Sequence, residues 1–363
     1  MRVLFLSRAT LYTNPGGDTI QVTQTAQYLE KLGVQTKVSL TNERIDYSPY
    51  DLIHFFNIIR PADILHHMEK SSKPFVVSTI FVDYSEFEMK NSKGFRRLIS
   101  YLFPRDTVEY FKVVARLIKN KEKIGSTFYL LHGHRRSVQK VIDKASRLLP
   151  NSKNEYRRLA DQYKIDRPYT VIPNGINPFF FKNSGDTVFQ NADHVICVAR
   201  IEPLKNQLNL IKALKNTNFQ LFIIGRYSAN HKKYYQECKD EAGDNVHFVD
   251  YLEQKELMKY YQKAKVHVLP SWFETTGLSS LESAAAGCNI VITDKGDTRE
   301  YFGDYAYYCD PGSLESILNA VTTASREPVK PAFSNYVVNH YTWEIAATKT
   351  KAVYDQILKN PGN

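Results

Sequence analysis

The stretch Lys265-Val266-His267-Val268-Leu269-Pro270-Ser271-Trp272-Phe273-Glu274-Thr275-Thr276-Gly277-Leu278-Ser279-Ser280-Leu281-Glu282-Ser283-Ala284-Ala285-Ala286-Gly287 decides the fold. Lys265–Pro270 reads as a buried strand. Leu278–Ala286 is rich in helix formers and ends at Gly287, a C-cap residue. Glu274 therefore lies in a strand-to-helix loop, and Glu282 lies inside the helix. Between them, Thr275-Thr276-Gly277 brings bare backbone N–H groups to a helix N-terminus, where they and the helix dipole favour an anion. Two carboxylates bracketing an anion site suit a ligand with hydroxyls on both sides of a phosphate group. A nucleotide sugar has that layout.

Working outward, short apolar runs alternate with helical ones. Val3–Ser7, Gln35–Leu40, Asp51–Phe56 and Pro74–Ile80 read as strands, and Thr19–Leu32 as a helix with Val22, Ala26, Leu29 and Leu32 on one face. The second half repeats the pattern. His194–Ala199, Gln220–Ile224, Asn245–Val249, Val266–Leu269 and Cys288–Thr293 read as strands, separated by helical stretches. Such alternation predicts parallel, doubly wound α/β sheets. The join falls near Pro178–Asp193, beside the polar run Lys182-Asn183-Ser184-Gly185-Asp186. The expected domains are 1–180, 181–342 and a terminal helix, 343–363.

The bulk properties narrow the function. With 363 residues, 43% of them hydrophobic, the chain can fill two cores. No run of about 18 apolar residues exists to span a bilayer. Met1–Arg8 is too short in its apolar part for a signal peptide. Cys197, Cys238, Cys288 and Cys309 are scattered, as expected of buried residues in a reducing cytoplasm. No His/Cys cluster has metal spacing and no Asp-x-Asp clamp occurs, so no metal and no cofactor are expected.

Arg200 and Lys205, in Val198-Ala199-Arg200-Ile201-Glu202-Pro203-Leu204-Lys205-Asn206, leave the carboxyl end of the second half's first strand, where open α/β sheets bind ligands. Two cations there can neutralise a diphosphate leaving group. In the first half, Asn14-Pro15-Gly16-Gly17-Asp18 joins a strand to a helix, and Gly16 and Gly17 permit close backbone approach to a ligand. It is not a G-x-G-x-x-G dinucleotide fingerprint.

Together these stretches resemble the retaining family 4 glycosyltransferases. Glu274 and Glu282 match the family's E-x7-E motif, Arg200 and Lys205 its R-x4-K motif, and Gly16-Gly17 its glycine loop. Tyr169–Ile176 resembles the segment entering the interdomain link, and Lys295–Glu300 the Gly-x-x-x-Glu loop. Tyr341-Thr342-Trp343-Glu344 opens a final helix that in the family returns to the first domain. The resemblance implies a GT-B fold: an α/β architecture of two Rossmann-like, doubly wound domains facing across a cleft. It implies transfer of a sugar from a nucleoside-diphosphate donor, UDP or GDP type, to an acceptor hydroxyl with retention. Arg200, Lys205 and the amides of Thr276, Gly277, Leu278 and Ser279 then hold the diphosphate. Glu274 holds the transferred sugar, Glu282 the ribose, and backbone near Gly225 and Tyr251-Leu252 the base. One departure concerns the loop Ser78–Glu88. Phe81 or Val82 stands where family members often carry a histidine near the sugar, and Asp83 is a candidate to take over part of that role. His54, His132 and His134 have no motif support.

Charge adds a partner. Met89–Arg147 holds 15 Lys/Arg against 4 Asp/Glu, a net +11 in a chain whose total is +10. Within it, Phe95, Leu98, Ile99, Leu102 and Phe103, and again Phe111, Val114, Ala115 and Ile118, recur at helical spacing beside Arg96, Arg97, Lys112, Arg116 and Lys119. This predicts basic amphipathic helices on an anionic membrane surface. The expected protein is cytoplasmic, peripheral on the inner face of the membrane, with a lipid-linked glycan acceptor from cell-surface polysaccharide or glycolipid assembly. A nucleotide-sugar epimerase of related fold and a basic nucleic-acid-binding protein are the rival readings. E-x7-E speaks against the first. The lack of any nucleic-acid module speaks against the second, so no nucleic acid is expected.

Overall fold

The computed structural model describes residues 1–91, 106–111, 113, 126–181 and 191–359. The chain forms two compact units, Met1–Pro173 with Trp343–Asn363, and Asn174–Thr342. The division falls at Pro173/Asn174 rather than at 180/181, because the chain is already tied into the second unit by then. The Ile176 amide donates to the Tyr341 carbonyl at 2.8 Å, and Ile176 is 1% exposed in that unit's core. The amphipathic runs around Phe95–Phe103 and Val114–Ile118, with Arg96, Arg97, Lys112, Arg116 and Lys119, lie outside the described residues.

The first unit runs β1 (Arg2–Ser7), α1 (Gly17–Lys31), β2 (Gln35–Leu40), β3 (Leu52–Phe56), α2 (Pro61–Met68), β4 (Phe75–Ser78), α3 (Ser85–Asn91), α4 (Thr127–Lys144), β5 (Arg147–Leu149) and α5 (Lys153–Tyr163). Its five strands pair in parallel in the order β2-β1-β3-β4-β5. The second unit runs β6 (Asn191–Val198), α6 (Gln207–Leu214), β7 (Gln220–Ile224), α7 (Lys232–Glu241), β8 (Val246–Val249), α8 (Gln254–Lys263), β9 (Ala264–Leu269), α9 (Leu278–Ala285), β10 (Asn289–Thr293), α10 (Thr298–Phe302), β11 (Tyr307–Cys309), α11 (Leu314–Arg326) and α12 (Pro331–His340). Its six strands are also parallel, in the order β11-β10-β9-β6-β7-β8. The last helix, α13 (Trp343–Lys359), belongs to the first unit and packs on α1.

The strand orders locate the ligand sites. In the second sheet the chain winds outward from β6 through β7 and β8, then returns to the other side of β6 with β9. The order therefore reverses between β6 and β9, and the carboxyl ends of those strands flank a crevice where open α/β sheets hold ligands. In the first sheet the reversal lies between β1 and β3. Central strands such as β1, β3 and β10 are buried nearly throughout, as parallel sheets covered on both faces require.

Buried polar groups fix the returning helix. On α13, Trp343, Ala346, Ala347, Thr350, Val353 and Tyr354 face inward. The Tyr354 hydroxyl meets His54 Nδ1 at 2.6 Å, while His54 Nε2 meets Ser78 Oγ at 2.9 Å. Burial pushes the His54 imidazole down to about 3, so it is neutral and structural. His134 is also buried, 3.3 Å from the Tyr129 hydroxyl, and His132 stacks on Phe128. All four cysteines are buried and free.

Candidate active site

The strand ends of the second unit are locked by residues that tolerate no alternative. Gly225 leaves β7 at φ 145°, and a Cβ there would lie 2.1 Å from the Ala199 carbonyl oxygen. Only glycine lets the β6 and β7 exits run this close. The 200–206 loop then crosses toward β9. Asn206, itself left-handed at φ 61°, donates from Nδ2 to the carbonyls of Pro270 at 3.0 Å and Pro311 at 2.8 Å. The Trp272 amide donates to the Leu204 carbonyl at 2.9 Å. These bonds draw the loop carrying Arg200 and Lys205 against the loop carrying Glu274.

Glu274 is pinned from the other side. Its amide donates to the Lys295 carbonyl at 3.2 Å, and its carbonyl accepts from the Asp297 amide at 2.9 Å. Gly296, at φ 97°, passes so close that a Cβ would stand 2.0 Å from the Glu274 carbonyl oxygen. The carboxylate is buried, and its Oε1 accepts from Lys205 Nζ at 2.5 Å. This charge-assisted bond ties the two charges into one unit.

The anion-binding end of α9 follows directly. Gly277 caps it at φ 68°, and Ser280 and Leu281 are the first amides to bond back, both to the Gly277 carbonyl. Leu278 and Ser279 come before that ladder begins, so their N–H groups point out of the helix end. Thr276 is held by a buried triangle. Asn174 Nδ2 donates to Thr276 Oγ1 at 3.2 Å, and Thr276 Oγ1 in turn donates to the Tyr301 hydroxyl at 3.3 Å. Asn174 lies in the Tyr169–Ile176 stretch, but nothing in the sequence pairs it with Thr276, and Tyr301 carries no motif signal.

Glu282 stands in the second turn of α9, half-buried, with Oε2 accepting from the Tyr261 hydroxyl at 3.0 Å. Burial raises its carboxyl to about 6, against the pull of the Tyr261 and Gln254 hydrogen bonds. Arg200 is more open and pairs with Glu202 Oε1 at 3.0 Å, and His231 Nδ1 lies 3.8 Å from the other Glu202 oxygen. At the ends of β7 and β8, Arg226 bonds Asp250 at 2.6 Å and lies 5.5 Å over the exposed Tyr251 ring. Leu252 packs, partly buried, on the unit's core.

In the first unit, the β1–α1 loop is shaped by a charge that no motif marks. Buried Arg8 pairs with Asp18 at 2.5 Å and donates to the carbonyls of Thr10 and Asn14, each at 2.8 Å. Gly16 is extended, and a Cβ on Gly17 would meet nothing within 4 Å, so neither glycine is demanded by its backbone. Asp83 Oδ1 accepts from the Ser85 amide at 3.0 Å, capping the start of α3. Phe81 is 1% exposed, its ring edge-on to Tyr163 inside the core. Among the described residues, no group of three or more His, Cys, Asp or Glu is placed to hold a metal ion.

Two parallel α/β units are the GT-B architecture, and comparison with known proteins finds glycosyltransferases among the proteins the chain is similar to. Residues 182–336 match the family model of the group 1 glycosyl transferases. An undecaprenol-linked glycan transferase of Campylobacter jejuni, N-acetylgalactosamine-N,N'-diacetylbacillosaminyl-diphospho-undecaprenol 4-alpha-N-acetylgalactosaminyltransferase, is 25% identical over 81% of this chain and 82% of its own. A D-inositol 3-phosphate glycosyltransferase of Geodermatophilus obscurus is 25% identical over 60% of this chain, which spans about half of that relative, 54%. Sucrose-phosphate synthase from Thermosynechococcus elongatus superposes with a TM-score of 0.74 at 16% identity, covering 99% of both chains. HepE of Anabaena, solved with UDP, does so at 0.69 and 16% identity, over 98% of this chain and all of the other.

Proposed function

We propose that the protein is a retaining glycosyltransferase of the family 4 type. It moves a sugar from a UDP- or GDP-linked donor to a hydroxyl of a lipid-linked glycan at an anionic membrane surface. The observation that carries this reading is the Lys205–Glu274 pair at the strand-order reversal, beside the open amides of α9. In one small volume it offers a cation for the diphosphate, a carboxylate for sugar hydroxyls and N–H donors for a phosphate oxygen. The E-x7-E and R-x4-K spacings supply the retaining class.

In the proposed reaction the bond between the anomeric carbon and the diphosphate oxygen breaks. The acceptor oxygen bonds to the same face of that carbon, and its proton passes to the departing phosphate oxygen. Arg200, Lys205 and the Leu278 and Ser279 amides stabilise the charge growing on the diphosphate. Groups fixed in advance do this at little reorganisation cost. Glu274 orients the transferred sugar and Glu282 the ribose. Arg226 and Tyr251, at the β7 and β8 exits, flank the base. The first unit holds the acceptor. The relative named for a diphospho-undecaprenol acceptor supports the lipid-linked assignment. So does an apolar step in the described part of the basic region: Leu130 and Leu131 are 45% and 79% exposed, near Arg135, Arg136 and Lys140.

Calorimetry with UDP and GDP, followed by NMR of the product's anomeric configuration, tests the proposal. Nucleotide binding and a retained configuration are expected. An inverted product sinks the retaining assignment. Epimerised free donor without any acceptor favours the epimerase reading instead.

A further inference from the structure

The first unit holds a fully buried carboxylate that the chemistry above does not use. Glu155, in the first turn of α5, has 0% exposure. Its Oε1 accepts from the Thr79 hydroxyl and from the Phe81 amide at 2.8 Å, and its Oε2 accepts from the Asn151 amide at 2.8 Å. Asn151, also buried, exchanges side-chain amide bonds of 2.9 and 3.3 Å with Gln21 of α1. One buried network therefore ties α1 to the exits of β4 and β5.

Helix capping explains only part of this. A glutamate three residues after a capping Ser normally closes on that cap's own amide. Ser152 Oγ does accept from the Glu155 amide, at 2.8 Å. The Glu155 carboxylate instead reaches the loop after β4, 74 and 76 residues away in sequence. Between its two partners there, Thr79 and Phe81, stands Ile80 at φ 45°. A β-branched residue in the left-handed region is a strained outlier, kept only where its surroundings over-determine it. The turn at Ile80 sends Phe81 into the core and leaves Val82, Asp83 and Tyr84 partly exposed at the carboxyl edge of the sheet. That edge is where open α/β sheets meet their ligands.

We propose that Glu155 is a positioning residue: it holds Ile80 left-handed and so fixes the Val82–Tyr84 face against which the glycan acceptor is held. The assignment rests on the proposed glycosyl transfer. It also accounts for Phe81 in the stretch where the family often carries a histidine, since this side chain serves as the loop's anchor in the core and the loop's shape does the positioning.

The test combines Glu155→Gln with Ile80→Gly. Glutamine keeps the volume but cannot accept all three bonds. Glycine adopts a left-handed φ unaided. Glu155→Gln lowers Tm, Ile80→Gly leaves it unchanged or higher, and in the double variant the loss from Glu155→Gln shrinks. Strictly additive changes overturn the link between the two residues. For function, UDP and GDP affinities, measured by calorimetry, stay at wild-type values in both single variants. In Glu155→Gln, transfer to an undecaprenyl-diphosphate-linked saccharide falls by roughly 10-fold or more, as displaced geometry does. Ile80→Gly, which keeps the turn, retains transfer, and the double variant recovers part of the loss. A folded Glu155→Gln with wild-type transfer overturns the positioning role. Wild-type protein that binds neither UDP nor GDP counts against the proposed function, and the Tm coupling then still decides whether Glu155 holds Ile80.

Discussion

At the scale of single residues, the site is a set of charges already paired before any ligand arrives. Lys205 leans on Glu274 and Arg200 on Glu202. Replacing Lys205 or Arg200 with Ala is expected to lower the transfer rate by about 10²–10³, the loss of one preformed donor to a growing negative charge. The fold should survive, because both lie in a loop. Steady-state rates of the folded variants check this. The Lys205–Glu274 bond adds a second expectation. Glu274→Gln abolishes sugar transfer yet leaves UDP binding equal or tighter, because Lys205 no longer has a competing carboxylate; weakened UDP binding in calorimetry would contradict it. Glu282 supplies a pH dependence. Burial raises its carboxyl from the ordinary 4.5 to about 6, so the folded state favours the protonated form. Its contribution to stability is present below pH 4.5 and is lost as pH rises through 6. In its proposed role Glu282 accepts from ribose hydroxyls more strongly when ionised, so nucleotide affinity should fall as pH drops below about 6. Glu282→Gln should flatten that profile and make the ligand-free protein more stable than wild type above pH 6.

At the scale of elements, the sequence was most legible where burial is continuous. β1, β3, β7 and β10 are runs of apolar residues, and the expected spans lie within a residue or two of the observed ones. β5 and β11 escaped notice because each is three residues long at the end of its sheet, too short to show a period. The motif residues were legible because their spacing follows from a strand, a loop and a helix in succession. What stayed hidden were the parts that support them from far along the chain. Asn174 reaches Thr276 across 102 residues, and Glu155 reaches the β4 loop across more than 70. No local pattern encodes such pairs. The returning helix gives the clearest test at this scale. Tyr354→Phe leaves buried His54 Nδ1 without its partner, at a cost of about 1–3 kcal/mol. Thermal unfolding of the first unit, followed by hydrogen exchange in β3 and α13, should report the loss.

At the scale of the whole molecule, the uneven charge carries the prediction. The basic region carries the net charge of the chain. Among the described residues no helix is long and apolar enough to cross a membrane. Binding to vesicles containing phosphatidylglycerol at low salt is therefore expected, with release at high salt and little affinity for phosphatidylcholine, because each surface cation adds about 1 kcal/mol in an anionic field. Arg96→Glu with Arg97→Glu, or Leu131→Asp, should weaken the binding in co-sedimentation. Equal binding to both lipids would refute the electrostatic part.

The first unit is completed by α13, which the ribosome delivers only after every residue of the second unit. During synthesis, α1 and β3 wait with their α13-facing side chains in water, while all the residues of Asn174–Thr342 have already been made. The natural order of domain folding is thereby inverted: the part made first matures last. A chain cut short before Tyr354 leaves His54 Nδ1 without that partner, and its N-terminal half is expected to be cleaved faster by a protease than that of the intact chain.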